Sequence, residues 1–272
     1  MRIPLMVRAI PDVLARIVDS KRAALPRVTA NRDALERRAA ARIDGRDFRI
    51  GLTAIRSAKR TAIIAEVKKA SPSKGVFSDR FDPAASARAY ASGGASALSV
   101  LTDAEFFQGS LDDLESARAA VAIPVLRKDF TLDEVHVVEA AAHGADAILL
   151  IAALLEETEL RKLRELAARY RMAALVEVHD DAELDAAIGS GAEIVGVNNR
   201  NLHTFEVTLE TSLRLASKIP SSVVKVSESG IDSRAAIARL EAAGFDAFLV
   251  GEHLMKAADP VAALRALLPV SS

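Results

Sequence analysis

Glu66 and Lys68 stand two residues apart at the end of the apolar run Ile63-Ile64-Ala65-Glu66-Val67-Lys68. On a strand that spacing puts a carboxylate and an ammonium on one face. A lone buried charge there would cost several kcal/mol or neutralise itself, so an acid and a base carried together point to a polar pocket at the strand end. Taken alone, the pair also fits an exposed strand end with a solvated ion pair. The segment that follows, Ser71-Pro72-Ser73-Lys74-Gly75, reads as a loop.

Other short apolar runs end in the same way. Leu126 leads to Arg127-Lys128-Asp129-Phe130, Val176 to Glu177-Val178-His179, Val197 to Asn198-Asn199-Arg200, Val226 to Ser227-Glu228-Ser229-Gly230, and Val250 to Gly251-Glu252-His253. If Glu66, Lys68, Lys128, Glu177, Arg200 and Glu228 face inward, three cations and three anions converge on one mouth. A purely structural set of strand ends has no need of them. Such a group could bind an anionic small molecule and move protons on it. Ser229-Gly230 and Gly251 suit a phosphate approached by backbone N–H groups, although Gly230 also fits a turn into the next helix. Ser71 is a further phosphate donor. The pair Phe106-Phe107 and Phe130, in a chain with nine Phe and no Trp, would wall a planar group, although isolated phenylalanines are more often core residues. His179 precedes Asp180 and Glu183, which have capping-box spacing, and is expected to be a helix-entry residue.

The elements that must position these residues are legible in a repeat. Gly94, Gly144, Gly191 and Gly244 lie 50, 47 and 53 residues apart, and each follows an Ala-rich amphipathic stretch and precedes an apolar run. Each is expected at a helix C′ position in the left-handed conformation, ahead of a buried strand. Four further runs, Thr61–Val67, Ile123–Leu126, Ala173–Val178 and Ser222–Val226, bring the expected strands to eight. Strict alternation with helices predicts an α/β fold, a single (β/α)8 TIM barrel. A doubly wound sheet is the other solution, but no Gly-x-Gly-x-x-Gly follows a strand.

The expected organisation is one domain over 1–272, with 1–48 a helical extension packed on the barrel. A stripe of Ile10, Val13, Leu14, Ile17 and Val18 marks one helix there, and a second spans about Asn31 to Arg42. Forty-eight residues alone would bury too little core to fold separately.

Composition narrows the partner. The chain is 50% hydrophobic and 27% charged with a net charge of -1, which gives no electrostatic case for nucleic acid or an anionic membrane. With no cysteine, disulfides, thiolate metal sites and Cys nucleophiles are excluded. The five histidines make no metal-ligand pattern, so no metal site is assigned. The longest apolar run, Ala147–Leu155, is nine residues, against roughly 20 for a bilayer span. The start of the chain, broken by Arg2 and Arg8, has no signal-peptide pattern. A cytoplasmic monomer acting on a small anionic substrate is expected.

Taken in order, Glu66-Val67-Lys68-Lys69-Ala70-Ser71-Pro72-Ser73-Lys74-Gly75, Leu98-Ser99-Val100-Leu101-Thr102, Arg127-Lys128-Asp129-Phe130, Val176-Glu177-Val178-His179, Gly196-Val197-Asn198-Asn199-Arg200-Asn201-Leu202 and Ser227-Glu228-Ser229-Gly230-Ile231 closely resemble the indole-3-glycerol phosphate synthase family. The resemblance implies ring closure of 1-(2-carboxyphenylamino)-1-deoxyribulose 5-phosphate, with loss of CO2 and water, a step of tryptophan biosynthesis. It implies Lys128 as general acid and Glu177 as the carboxylate facing a cationic intermediate. Glu66 and Lys68 would serve dehydration and hold the anionic substrate. Asn198, Arg200, Glu228 and Ser229 would orient the substrate between Phe107 and Phe130, while Ser71, Gly230 and Gly251 would contact phosphate. No cofactor is implied, because the anilino ring supplies the electrons. Burial beside other cations is expected to lower the Lys128 pKa.

Val135-His136 and His253 depart from the family pattern, which has Tyr-Gln and a small residue there. Two alternatives remain open at this point: a sugar-phosphate isomerase barrel, whose Cys and Asp pair this chain cannot supply, and a barrel that binds sugar phosphates without catalysis.

Overall fold

The computed structural model describes residues 12–54, 61–72, 75–76, 81–201 and 204–269. Eight strands, β1 (Ala62–Val67), β2 (Ala97–Leu101), β3 (Val125–Lys128), β4 (Ala147–Ile151), β5 (Ala173–Val178), β6 (Ile194–Asn198), β7 (Val224–Glu228) and β8 (Ala247–Val250), pair in sequence order, each parallel to the next. The circle closes where β1 pairs with β8 through Ala62↔Ala247 to Ala65↔Val250. This is the closed (β/α)8 barrel rather than the doubly wound sheet.

Period two sorts each strand into two cores. Ile63, Ala65, Leu98, Val125, Ile148, Leu150, Val176, Val195 and Phe248 point outward and are buried under the helices. Ala62, Ile64, Ala97, Leu126, Leu149, Leu175, Ile194, Val226 and Leu249 point inward and form a separate barrel interior. Continuing the inward series to the strand ends reaches Glu66, Lys68, Lys128, Glu177, Asn198, Glu228 and Gly251. The parity that fills the interior with apolar groups therefore delivers the charged set to one rim.

The strand–helix joints follow the expected chemistry. Asp82 accepts from Ala85 N ahead of Pro83, and the helix Pro83–Gly93 stops at Gly94, φ +104°. Gly144, Gly191 and Gly244 are likewise left-handed, at φ +84°, +82° and +93°. Two strands sit further along the chain than their apolar runs indicated, Val125–Lys128 for Ile123–Leu126 and Val224–Glu228 for Ser222–Val226. Pairing with neighbouring strands, not hydrophobicity, sets their ends, so the charged residues belong to the strands. The loop after β1 contains a small ribbon, Ala70–Ser71 against Gly75–Val76; Ser73 and Lys74 lie outside the described residues, as do Ile10 and Leu202.

Ahead of the barrel run α1 (Asp12–Thr29), α2 (Arg32–Ala40) and a third helix, α3 (Phe48–Thr53), which the sequence patterns did not reveal. Phe48 and Leu52 of α3 are fully buried against Ala62, Ile64, Ala97 and Ala147, so α3 plugs the end of the barrel opposite the charged rim. Each such side chain contributes about 2–3 kcal/mol. The helical segment thus continues past residue 48. Among the described residues no helix is long and apolar enough to cross a membrane.

Candidate active site

A cavity of about 560 Å3 opens at the carboxyl ends of the strands. Glu66, Lys68, Ser71, Phe107, Lys128, Phe130, Glu177, Asn198, Arg200, Glu228, Ser229, Gly230 and Gly251 all line it. The thirteen residues singled out from sequence converge on one space.

Lys128 is the hub. Its Nζ lies 3.0 Å from Glu177 Oε2 and 3.7 Å from Glu228 Oε2, with only 16% of the side chain exposed. Burial lowers its proton affinity, but the charges of Glu177, Glu228 and Glu66 outweigh burial and hold the pKa well above the ordinary lysine value. The expected downward shift is therefore corrected. The groups around Lys128 are carboxylates rather than cations, because Lys68 is turned to Glu66 in an ion pair.

The carboxylates divide. Burial works against ionisation of Glu177, yet Lys128, His179 and Asn198 hold its pKa below the ordinary range. Asn198 Nδ2 donates to Glu177 Oε1 at 3.0 Å, and Asn198 Oδ1 accepts from Arg200 N at 3.0 Å, which fixes the amide. Glu228 is raised, by burial first and then by Glu177 and Glu66, against the pull of Lys128. Its Oε1 is buried with no hydrogen-bond partner. One carboxylate is kept charged while its neighbour is pushed toward the neutral acid, the condition for separate acid and base roles.

The rim supplies other chemistry. Ser229 and Gly230 are consecutive left-handed residues, φ +67° and +74°. For a serine this conformation costs about 1 kcal/mol or more, a strain that occurs most at functional turns. Ser71 Oγ is buried and unpaired. Phe107 and Phe130 face each other at 6.3 Å between centroids, tilted by 37°. Phe106, in contrast, carries the guanidinium of Arg16 over its ring at 5.7 Å. Arg200 donates to Phe205 O at 3.3 Å and lies 3.6 Å from Glu252. His253 lines the cavity wall. His136 is a buried packing group whose Nδ1 accepts from Leu132 N.

The expected capping box is half formed. Asp180 accepts from Glu183 N, but Glu183 Oε2 accepts from His179 N at 2.7 Å and contacts His179 Nδ1 at 3.1 Å instead of returning to Asp180.

Sequence patterns missed the roof. Val13, Leu14 and Ile17 of α1 line the cavity, and Lys21 Nζ ties α1 to Asp129 at 2.6 Å and Asp103 at 3.0 Å. Asp129 also meets Arg127, which reaches Glu139 and Thr102, so α1 is fastened to the buried face of β3. The available signal was Lys21 continuing the Leu14, Ile17, Val18 stripe, a cation on an apolar face.

The family model for indole-3-glycerol phosphate synthase matches residues 14–267. The chain belongs to the indole-3-glycerol phosphate synthase family. An indole-3-glycerol phosphate synthase from Leptothrix cholodnii is 50% identical over 258 residues, covering 94% of this chain and 98% of the relative. One from Burkholderia vietnamiensis is 51% identical over 256 residues, 93% and 97% of the two chains. Among solved structures, a thiamine phosphate pyrophosphorylase from Pyrococcus furiosus superposes with a TM-score of 0.58 at 18% identity, over 76% of this chain and 93% of its own. That likeness concerns the fold.

Proposed function

We propose that the charged rim performs the family's reaction, conversion of 1-(2-carboxyphenylamino)-1-deoxyribulose 5-phosphate to indole-3-glycerol phosphate, CO2 and water, through the following division of labour. The ring carbon bearing the carboxylate attacks the C2′ ketone, driven by the anilino nitrogen. Lys128 protonates the ketone oxygen as the C–C bond forms. Its raised pKa makes it a weaker acid but keeps it charged at neutral pH, so it also stabilises the developing oxyanion. Glu177, ionised, faces the cationic nitrogen.

Loss of CO2 returns its electron pair to the ring. Dehydration then needs a proton for the departing hydroxyl and a base for the proton on C1′, and the adjoining Glu66 and Lys68 supply this pair. Glu228, biased to its neutral acid, donates a hydrogen bond to the substrate together with Asn198 and Ser229. Arg200 holds the benzoate, Phe107 and Phe130 wall the ring, and Ser71, Gly230 and Gly251 receive the phosphate. A volume of about 560 Å3 accommodates one such molecule.

The single observation carrying this reading is the Lys128 ammonium, buried at the strand ends 3.0 Å from Glu177 and 3.7 Å from Glu228. The single closed barrel with α3 packed into its end supports residues 1–272 as one domain, and a monomer is proposed as its working unit. Net charge and a small polar substrate support the cytoplasm as its place. The test is to supply the substrate to purified protein and follow indole fluorescence, which the absence of tryptophan leaves free of indole background. Growth of the signal with release of CO2 supports the reading; binding without turnover favours the non-catalytic barrel, and the absence of both binding and turnover contradicts the reading altogether.

A further inference from the structure

His179 follows β5 directly and is enclosed: its side chain is 15% exposed, Nδ1 faces Glu183 Oε2 at 3.1 Å, and Nε2 lies 3.5 Å from Glu177 Oε1. That Nε2 is buried and makes no hydrogen bond of ordinary geometry. Glu183 is itself buried and its carboxylate is spent on His179, at both the backbone N–H and the ring. A carboxylate orienting an imidazole through one nitrogen, with the other nitrogen aimed at a reacting group, is the arrangement by which histidine is held ready to donate or accept. Among the described residues only Lys128 and His179 come within ion-pairing distance of Glu177. When Lys128 hands its proton to the ketone, it becomes a neutral amine. Glu177 then keeps one cation.

We propose that His179, fixed by Glu183, is a positioning residue acting through Glu177: its Nε2–H closes on Oε1 as Lys128 is neutralised, holding that carboxylate ionised and in place for the cationic intermediate. The inference rests on the reading of the site given above. No atom is gained or lost at His179; the proton stays on Nε2 and the contact shortens, as apo contacts tighten along a reaction.

The groups facing His179 are Glu177 near the end of β5, Glu183 on the following helix and Glu228 across the rim from β7, with Lys128 on the far side of Glu177. Burial lowers the proton affinity of His179, but Glu183, Glu177 and Glu228 raise it by more, so the cation persists above the ordinary imidazole range. Loss of that proton as pH rises should lower kcat and give the profile an alkaline limb.

The experiment compares kcat, KM and pH profiles of the intact protein with H179N and H179Q. Asparagine keeps a donor where Nδ1 was, glutamine where Nε2 was. H179N is expected to lose about 10-fold or more in kcat, the usual scale for a supporting partner, with KM within about twofold. H179Q recovers part of the loss, and the alkaline limb is absent from both. Equal losses in the two variants, wild-type kcat in H179N, or an unmoved limb would overturn the inference. Should either variant fold poorly, E183Q tests it in a wild-type ring, since the limb must move to lower pH and an unmoved limb is again fatal. Lys128→Ala is measured alongside: retained turnover there sinks the reading of the site, whereas its loss with unaffected His179 variants sinks only the inference about His179.

Discussion

The carboxylate of Glu66 occupies the space that a side chain at Gly251 would need: a Cβ there would overlap Oε1 and stand 2.9 Å from Cδ. The register of β1 with β8 places these positions side by side on the inner face. Glu228 is accommodated in the same way above Gly196. Two absent side chains on the inward series thus make room for two acids. The glycine whose implied role was phosphate contact also admits Glu66 to the rim.

Gly251→Ala is therefore expected to displace Glu66 and its ion pair with Lys68. A misplacement on the order of 1 Å costs about 100-fold in rate. Steady-state kinetics with the natural substrate would read this as a fall in kcat, with the far-ultraviolet circular dichroism unchanged; wild-type kcat would show that the Glu66 position is not needed.

Lys21 joins α1 to Asp103 and Asp129 under the roof of the cavity. Lys21→Met leaves two buried carboxylates short of a partner, although Arg127 remains on Asp129. A loss of about 2–3 kcal/mol is expected from urea unfolding, just under the range for breaking a buried pair outright. KM should rise as the roof loosens. Asp129 is held below the ordinary aspartate range, with burial opposed by Arg127 and Lys21. A depressed acid contributes stability above its unfolded pKa and loses it as pH falls through the folded one. The wild-type advantage over Lys21→Met should accordingly be present at pH 7 and shrink on acidification.

Glu228 carries the opposite sign. Its folded-state pKa is raised, so the protein gives up stability as pH climbs from the ordinary glutamate range toward the folded value. Glu228→Gln, which removes that ionisation, should stabilise the protein by about 1 kcal/mol near pH 8. The gain should vanish near pH 4 while turnover falls. A thermal melt at the two pH values decides it, and equal melting differences at both would contradict the raised pKa.

Legibility in the sequence tracked locality. Glycine spacing revealed the barrel because a left-handed C′ residue and a buried strand are written in neighbouring residues, as at Gly94 or Gly144. The site was legible because motif residues sit at strand ends, where topology alone makes them converge. What stayed hidden depends on distant partners. Phe48 and Leu52 become a plug only against inward residues from several strands, and six residues are too few for a periodic signal. The raised pKa of Lys128 depends on which neighbours face it, and the pairing of Lys68 with Glu66 leaves carboxylates there. Glu183 bonds His179 rather than Asp180, a choice of rotamer that capping spacing does not reveal.

The plug offers a check independent of chemistry. Leu52→Ala should cost about 2–5 kcal/mol as a cavity at the closed end of the barrel. Because the charged rim lies at the other end, kcat should be unchanged for the folded fraction. A fall in kcat without a fall in stability would mean that the two ends are coupled.

The most direct measurement is single-turnover formation of the indole product by wild type and Lys128→Met, each saturated with substrate and followed by fluorescence. Methionine keeps most of the buried stem and removes the proton and charge. The expected result is a fall of about 100-fold or more in the rate of ring closure, the scale of general acid catalysis, with substrate still bound. A Lys128→Met protein that binds substrate and closes the ring at the wild-type rate would contradict the assignment of Lys128 as the acid on which the account of this site depends.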